Sequence, residues 1–123
     1  MSSERLIAAF EDIARAVGRI DTWVKEAGGP DAALRADTQS RSAIERQLLI
    51  ISEAAIRLHR LDPEAAARLA PSVDWPGVRG VGNYIRHKYD DLDGAIIAGV
   101  VGEKLAELRS ACASAIKALE KGE

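Results

Sequence analysis

"RLIAAFEDIARAVGRI", residues 5–20, decides the fold. Leu6, Phe10, Ile13, Val17 and Ile20, with Val24 just beyond, advance by alternating steps of four and three. That is the period of one apolar face on an α-helix, with charged residues between. "EAGGP" (26–30) ends this helix, with Gly28 as the residue after the C-cap and Pro30 just past it. Residues 31–40 are polar and read as a connector or a frayed helix start.

The same period returns twice downstream. Ile44, Leu48, Ile51, Ala55 and Leu58 form one stripe, widened by Ile50 and Ala54. Ser42 and Glu45 have capping-box spacing, and Asp37 offers an earlier start. "LDPEAAARLAPS" then gives a short helix, with Asp62 as N-cap, Pro63 at the first position and Pro71 as the stop. A last long helix starts near Asp93 and runs to about Leu119 on Ile97, Val101, Leu105, Leu108, Cys112, Ala115 and Leu119. No stretch alternates as a strand does. The pattern predicts an all-α, up-down bundle of four to five helices, one domain over residues 1–123. The long, Ala-rich stripes also suggest a symmetric dimer.

Composition bounds the function. The 123 residues carry a formal net charge of −2, so no global charge points to nucleic acid. With one Phe, two Trp and two Tyr, the core must be aliphatic. A lone Cys112 excludes an internal disulfide framework and suits a reducing cytoplasm. No apolar run approaches the roughly 18–20 residues that span a bilayer. The charged N-terminus lacks the apolar core of a signal peptide. A cytoplasmic protein is expected.

The chemistry gathers in "RGVGNYIRHKYDDLD", residues 79–93. On a helix at about 100° per residue, Arg79, Asn83 and His87 fall at i, i+4 and i+8, with Arg86 beside them. Gly80 and Gly82 each cost roughly 1 kcal/mol relative to Ala in a helix interior. Such glycines suit close approach, to another helix or to a ligand. An imidazole that titrates near neutral pH moves protons to or from an RNA 2′-hydroxyl or leaving oxygen. A guanidinium holds the phosphate by paired hydrogen bonds and stabilises developing negative charge. No metal is needed when the 2′-hydroxyl is the nucleophile.

A plainer reading stands beside this one. His87 caps carbonyls at a helix end, and Arg79 and Arg86 pair with Asp90, Asp91 and Asp93 on a solvated surface. His59 reads as structural, at a helix C-terminus where positive charge is welcome. Glu53 interrupts an apolar helix, so it either pairs with Arg79 or Arg86 or faces solvent. Apart from the exposed-looking Asp90, Asp91 and Asp93, no His, Cys and acidic set has metal-ligand spacing, and "GVRGVG" matches neither a dinucleotide fingerprint nor a P-loop.

The chain resembles the HepT-like family of the HEPN superfamily, also described as domain of unknown function 86. The resemblance rests on "RLIAAFEDIARAVGRI", "SAIERQLLIISEAAIRL", "VDWPGVRGVGNYIRHKYDDLD" and the long closing helix. It implies a small, dimeric four- or five-helix bundle that acts as the toxin of a toxin–antitoxin pair. The implied activity is metal-independent RNA cleavage, without a cofactor. The implied partner is a minimal nucleotidyltransferase that transfers AMP to a tyrosine and silences the toxin. The family's signature is an Arg, often followed by a polar residue, then a His with four to six residues between it and the Arg, then Tyr two residues on. Its His falls on His87, its Tyr on Tyr89 and its polar residue on Asn83, but its Arg falls on Gly82. Either Arg79 or Arg86 then supplies the charge, Arg79 being favoured because it shares a face with Asn83 and His87, or the site has lost catalytic power. Two copies of this helix would bring two motifs to one cleft, with Tyr89 at its edge.

Two functions follow. One is a ribonuclease toxin in which His87 moves the proton, Arg79 and Arg86 bind phosphate and Asn83 orients it. The other is a non-catalytic dimeric module that engages the nucleotidyltransferase without cutting RNA.

Overall fold

The computed structural model describes residues 3–36, 38–87 and 94–122, and all regular structure in them is helical. Seven helical segments are found among these residues: α1 (Ser3–Ala27), α2 (Pro30–Ala33), α3 (Gln39–Leu61), α4 (Ala65–Leu69), α5 (Trp75–His87), α6 (Gly94–Glu103) and α7 (Leu105–Glu120). Three long elements, α1, α3 and α7, follow the stripes read from the sequence. Leu6, Phe10, Ile13, Val17 and Ile20 of α1 are buried, as are Ile44, Leu48, Ile51, Ala55 and Leu58 of α3. The closing stripe from Ile97 to Leu119 is buried at each of its seven positions. α1 lies between α3 and α7, and α5 packs onto α3. No helix among the described residues is long and apolar enough to cross a membrane.

Local chemistry explains the ends. Gly28 adopts φ +95°, a conformation that glycine reaches without Cβ strain. Its N–H donates to the Lys25 carbonyl at 3.2 Å, and the Gly29 N–H donates to the Val24 carbonyl at 2.9 Å. This pairing closes α1 in a Schellman motif, as "EAGGP" predicts. The connector is more ordered than its polarity suggests. Pro30 opens the single turn of α2, and Ser40 Oγ donates 2.6 Å to the Ala33 carbonyl. The half-buried pair Arg41–Glu45, 3.0 Å apart, ties the same segment to α3 through Arg41 Nη1 on the Leu34 carbonyl.

Several boundaries differ from the sequence reading. α3 begins at the earlier of the two starts the sequence offers, near position 37 rather than at Ser42: Thr38 is its N-cap and accepts the Arg41 N–H at 3.2 Å. Asp37 lies outside the described residues. Asp62 caps the turn before α4, accepting the Glu64 N–H at 3.1 Å, so the helix proper starts at Ala65. The closing helix is divided at Lys104 into α6 and α7. Hydrogen bonds still bridge the division, from the Lys104 N–H to Val100 and from the Leu108 N–H to Lys104. One apolar stripe therefore continues through both. The four- to five-helix expectation holds when α6 and α7 are taken as one closing helix, and it misses this division and the turn at α2.

Candidate functional site

Helix α5 carries the polar cluster, and its first turn fixes where that cluster points. Asp74 caps α5, its Oδ1 accepting the Gly77 N–H at 3.1 Å. A Cβ at Gly77 would collide with the same carboxylate, so glycine keeps the cap compact. Trp75 is buried, and its indole N–H donates 3.0 Å to the Ala70 carbonyl. Its ring meets Phe10 of α1 edge-on, with centroids 6.1 Å apart. Trp75, Gly82 and Ile85 form the inward side of α5.

The other side is polar. Arg79 is half-buried, while Asn83, Arg86 and His87 are exposed. The expected helical register is therefore present, and these four side chains occupy one outward-facing stripe. His87 is the last residue of α5. Arg86 and His87 stand in its last turn, where the helix dipole favours positive charge. That placement leaves both side chains open to solvent.

Gly82 is where α5 comes closest to α3. A Cβ built on it would stand 2.7 Å from Ser52 Oγ and 3.0 Å from Ser52 Cβ. Ser52 is fully buried, and its hydroxyl donates 2.7 Å to the Arg79 carbonyl. The glycine thus permits close helix approach, one of the two explanations open at the sequence level. Gly80 does not share this role, since a Cβ there would meet nothing within 4 Å.

Ser52 was missed by the sequence reading, which singled out its neighbour Glu53. The signal was present: Ser52 lies four residues after Leu48, inside the apolar stripe of α3. A small hydroxyl there is suited to bonding a neighbouring backbone. Glu53 itself is exposed and forms no ion pair with Arg79 or Arg86 among the described residues. Its solvent-facing alternative is the one observed. His59 is likewise exposed, in the last turn of α3. Tyr89, Asp90, Asp91 and Asp93 lie outside the described residues.

Other chemistry is sparse. Among the described residues no three His, Cys, Asp or Glu side chains gather to hold a metal. Cys112 is buried in α7, and desolvation pushes its thiol pKa up to about 12. It stays protonated and is not a nucleophile at neutral pH.

What the stripe on α5 offers is an accessible imidazole, two guanidiniums and an amide on a rigid helix. That set suits an anionic, hydrogen-bonding ligand. No curated protein and no solved structure matches the chain. A protein-family model does: the one described as "Ribonuclease HepT-like" matches residues 13–115, from the middle of α1 to Ala115 in α7 and including all of α5. The sequence blocks, the helical bundle and this match agree, and the chain belongs to the HepT-like ribonuclease family.

Proposed function

We propose that this protein is a metal-independent endoribonuclease toxin, silenced by a partner nucleotidyltransferase. The observation that carries the reading is the outward stripe of α5, on which exposed Asn83, Arg86 and His87 adjoin half-buried Arg79. In the reaction, the RNA 2′-oxygen attacks the adjacent phosphorus. The 2′-O–P bond forms, the P–O5′ bond breaks, and the products are a 2′,3′-cyclic phosphate and a 5′-hydroxyl. The balance is one proton moved from O2′ to O5′. His87 takes or gives that proton, Asn83 orients the phosphate, and an arginine neutralises its charge in the transition state.

Dimerisation belongs to the same proposal. α5 has α3 on one side, yet Val78, Val81 and Tyr84 remain only partly buried. A second copy would bring two such stripes to one cleft in the cytoplasm. Silencing would follow from attack of the Tyr89 phenol oxygen on the α-phosphorus of an adenine nucleoside triphosphate. The phenol loses its proton, pyrophosphate leaves, and AMP remains on the tyrosine. The added charge and bulk beside the guanidiniums would repel RNA.

The test is RNA cleavage in EDTA by wild type and His87→Ala, both checked by circular dichroism and size-exclusion chromatography. Wild type should cut and His87→Ala should not. Incubation with the nucleotidyltransferase and ATP should add one AMP to wild type and none to Tyr89→Phe.

One observation favours a second reading. The position that holds the family's arginine is here a glycine pressed on Ser52, with no room for a side chain. A binding module that accepts AMP without cutting RNA fits that loss. It predicts AMP transfer to Tyr89 together with no cleavage by wild type.

A further inference from the structure

We infer that Arg86, not Arg79, is the guanidinium that binds RNA phosphate beside His87, and that Ser52 and Gly82 form its seat. The inference rests on the proposed RNA-directed function and assigns a role that the sequence reading gave preferentially to Arg79.

The contacts at Gly82 carry it. A Cβ there would meet Ser52 on one side and, on the other, Arg86 Nη2 at 3.3 Å. The guanidinium of Arg86 therefore lies over the bare backbone of Gly82, one turn back along its own helix. The direction follows from helix geometry, because side chains lean toward the N-terminus and cover the turn before them. The floor of this seat is fixed. Ser52 is fully buried and held by its 2.7 Å bond to the Arg79 carbonyl, so it cannot move aside for a larger residue at 82. The chain thus carries a guanidinium over position 82 without an arginine at position 82.

Arg79 is placed less well for sharing a phosphate with His87. Eight residues separate them, about 12 Å along the helix axis. The N-terminal lean carries both side chains the same way and does not close that gap. Arg86 is adjacent to His87 in the helix, and both side chains lean over the same preceding turn, so the guanidinium above Gly82 lies within about one turn of the imidazole along the axis. It also has no carboxylate partner among the described residues, where the ion-paired arginines are Arg15, Arg41, Arg57 and Arg68. A phosphate can therefore meet the imidazole and a guanidinium that no carboxylate among the described residues holds. The guanidinium presents two parallel donors, which a lysine ammonium does not.

The experiment measures two quantities on Arg86→Ala, Arg86→Lys, Arg79→Ala and wild type. One is cleavage of a single-stranded RNA in EDTA. The other is binding of the same sequence with 2′-deoxy sugars, which cannot be cut by 2′-hydroxyl attack. Arg86 is exposed, so circular dichroism should be unchanged. Cleavage should fall by at least about 100-fold in Arg86→Ala, as for loss of one transition-state donor. It should recover only in part in Arg86→Lys and fall by less than about threefold in Arg79→Ala, which lacks that contact. Binding should weaken more in Arg86→Ala than in Arg79→Ala. Equal cleavage by wild type and Arg86→Ala would overturn the assignment while leaving the ribonuclease reading intact. Wild type that binds through Arg86 without cutting would keep the seat and overturn catalysis. Wild type that neither binds nor cuts would overturn both.

Discussion

Helix α3 meets its two neighbours by different means. Toward the bundle centre, where α1 packs on it, it presents branched aliphatic side chains, with Ile44 and Leu58 fully buried. Toward α5 it presents the hydroxyl of Ser52 to a glycine and a carbonyl. The first contact excludes water over a broad area and supplies stability. The second buries little side-chain volume but sets a distance and a rotation. It decides how close α5 stands and which way Arg86 and His87 face. Stability and placement are therefore separable on one helix.

The largest effect should come from the first contact. Leu58→Ala should destabilise the fold by about 2–5 kcal/mol, the range for deleting a fully buried leucine side chain. Urea unfolding followed by circular dichroism measures it. A loss under about 1 kcal/mol would mean that the aliphatic face of α3 is not the main source of stability. Next comes the close contact. Gly82→Leu should cost about 1–3 kcal/mol by overpacking against a serine that cannot retreat. It should also abolish whatever RNA cleavage or binding wild type shows, because the Arg86 guanidinium loses its place. A variant that keeps its fold and its RNA contact would break the distinction between the two faces.

The two faces were not equally legible in the sequence. Aliphatic steps of three and four report burial directly, so the stripes of α1, α3 and the closing helix emerged with nearly every position correct. The Gly28 stop was equally readable, because a left-handed residue needs glycine. The contact between α3 and α5 joins Ser52 to Gly82, thirty residues apart, and neither residue announces its partner. Gly82 signalled only that something comes close. Glu53 drew attention as a charge in an apolar run, yet it simply faces solvent, while the silent Ser52 beside it makes the contact. The choice between Arg79 and Arg86 could not be read from the sequence for a related reason. Helical faces give the angle of a side chain, whereas its reach depends on the lean toward the N-terminus and on the empty volume at residue 82. The break at Lys104 left no apolar gap and could not be seen in the stripe.

Ser52→Ala should have a smaller effect on stability than either earlier change. It removes one hydrogen bond, worth about 0.5–1.5 kcal/mol, and leaves the methylene-sized volume in place. Urea unfolding should register that loss. If placement is the role of this contact, cleavage should fall more than the stability change explains, with the decrease in kcat rather than in RNA affinity. Equal and small changes in both would make Ser52 an ordinary core hydroxyl.

The smallest effect concerns the other glycine. Gly80 lies in the same helix, is exposed, and a Cβ there would touch nothing within 4 Å. Its φ is not in the left-handed region, so alanine fits without backbone strain. Gly80→Ala should therefore stabilise the isolated chain by up to ~1 kcal/mol, through lower unfolded-state entropy and better helix propensity. Unfolding at high dilution measures that gain. Repeating the measurement as concentration rises, with sedimentation to follow association, asks what the glycine is for. Gly82 has its reason inside the chain, in Ser52. If Gly80 has its reason in a second copy, the alanine variant should gain stability when dilute and associate more weakly when concentrated. A variant that is more stable and dimerises as wild type does would place the dimer contact elsewhere and leave Gly82 as the one glycine of the pair that α5 needs for close approach.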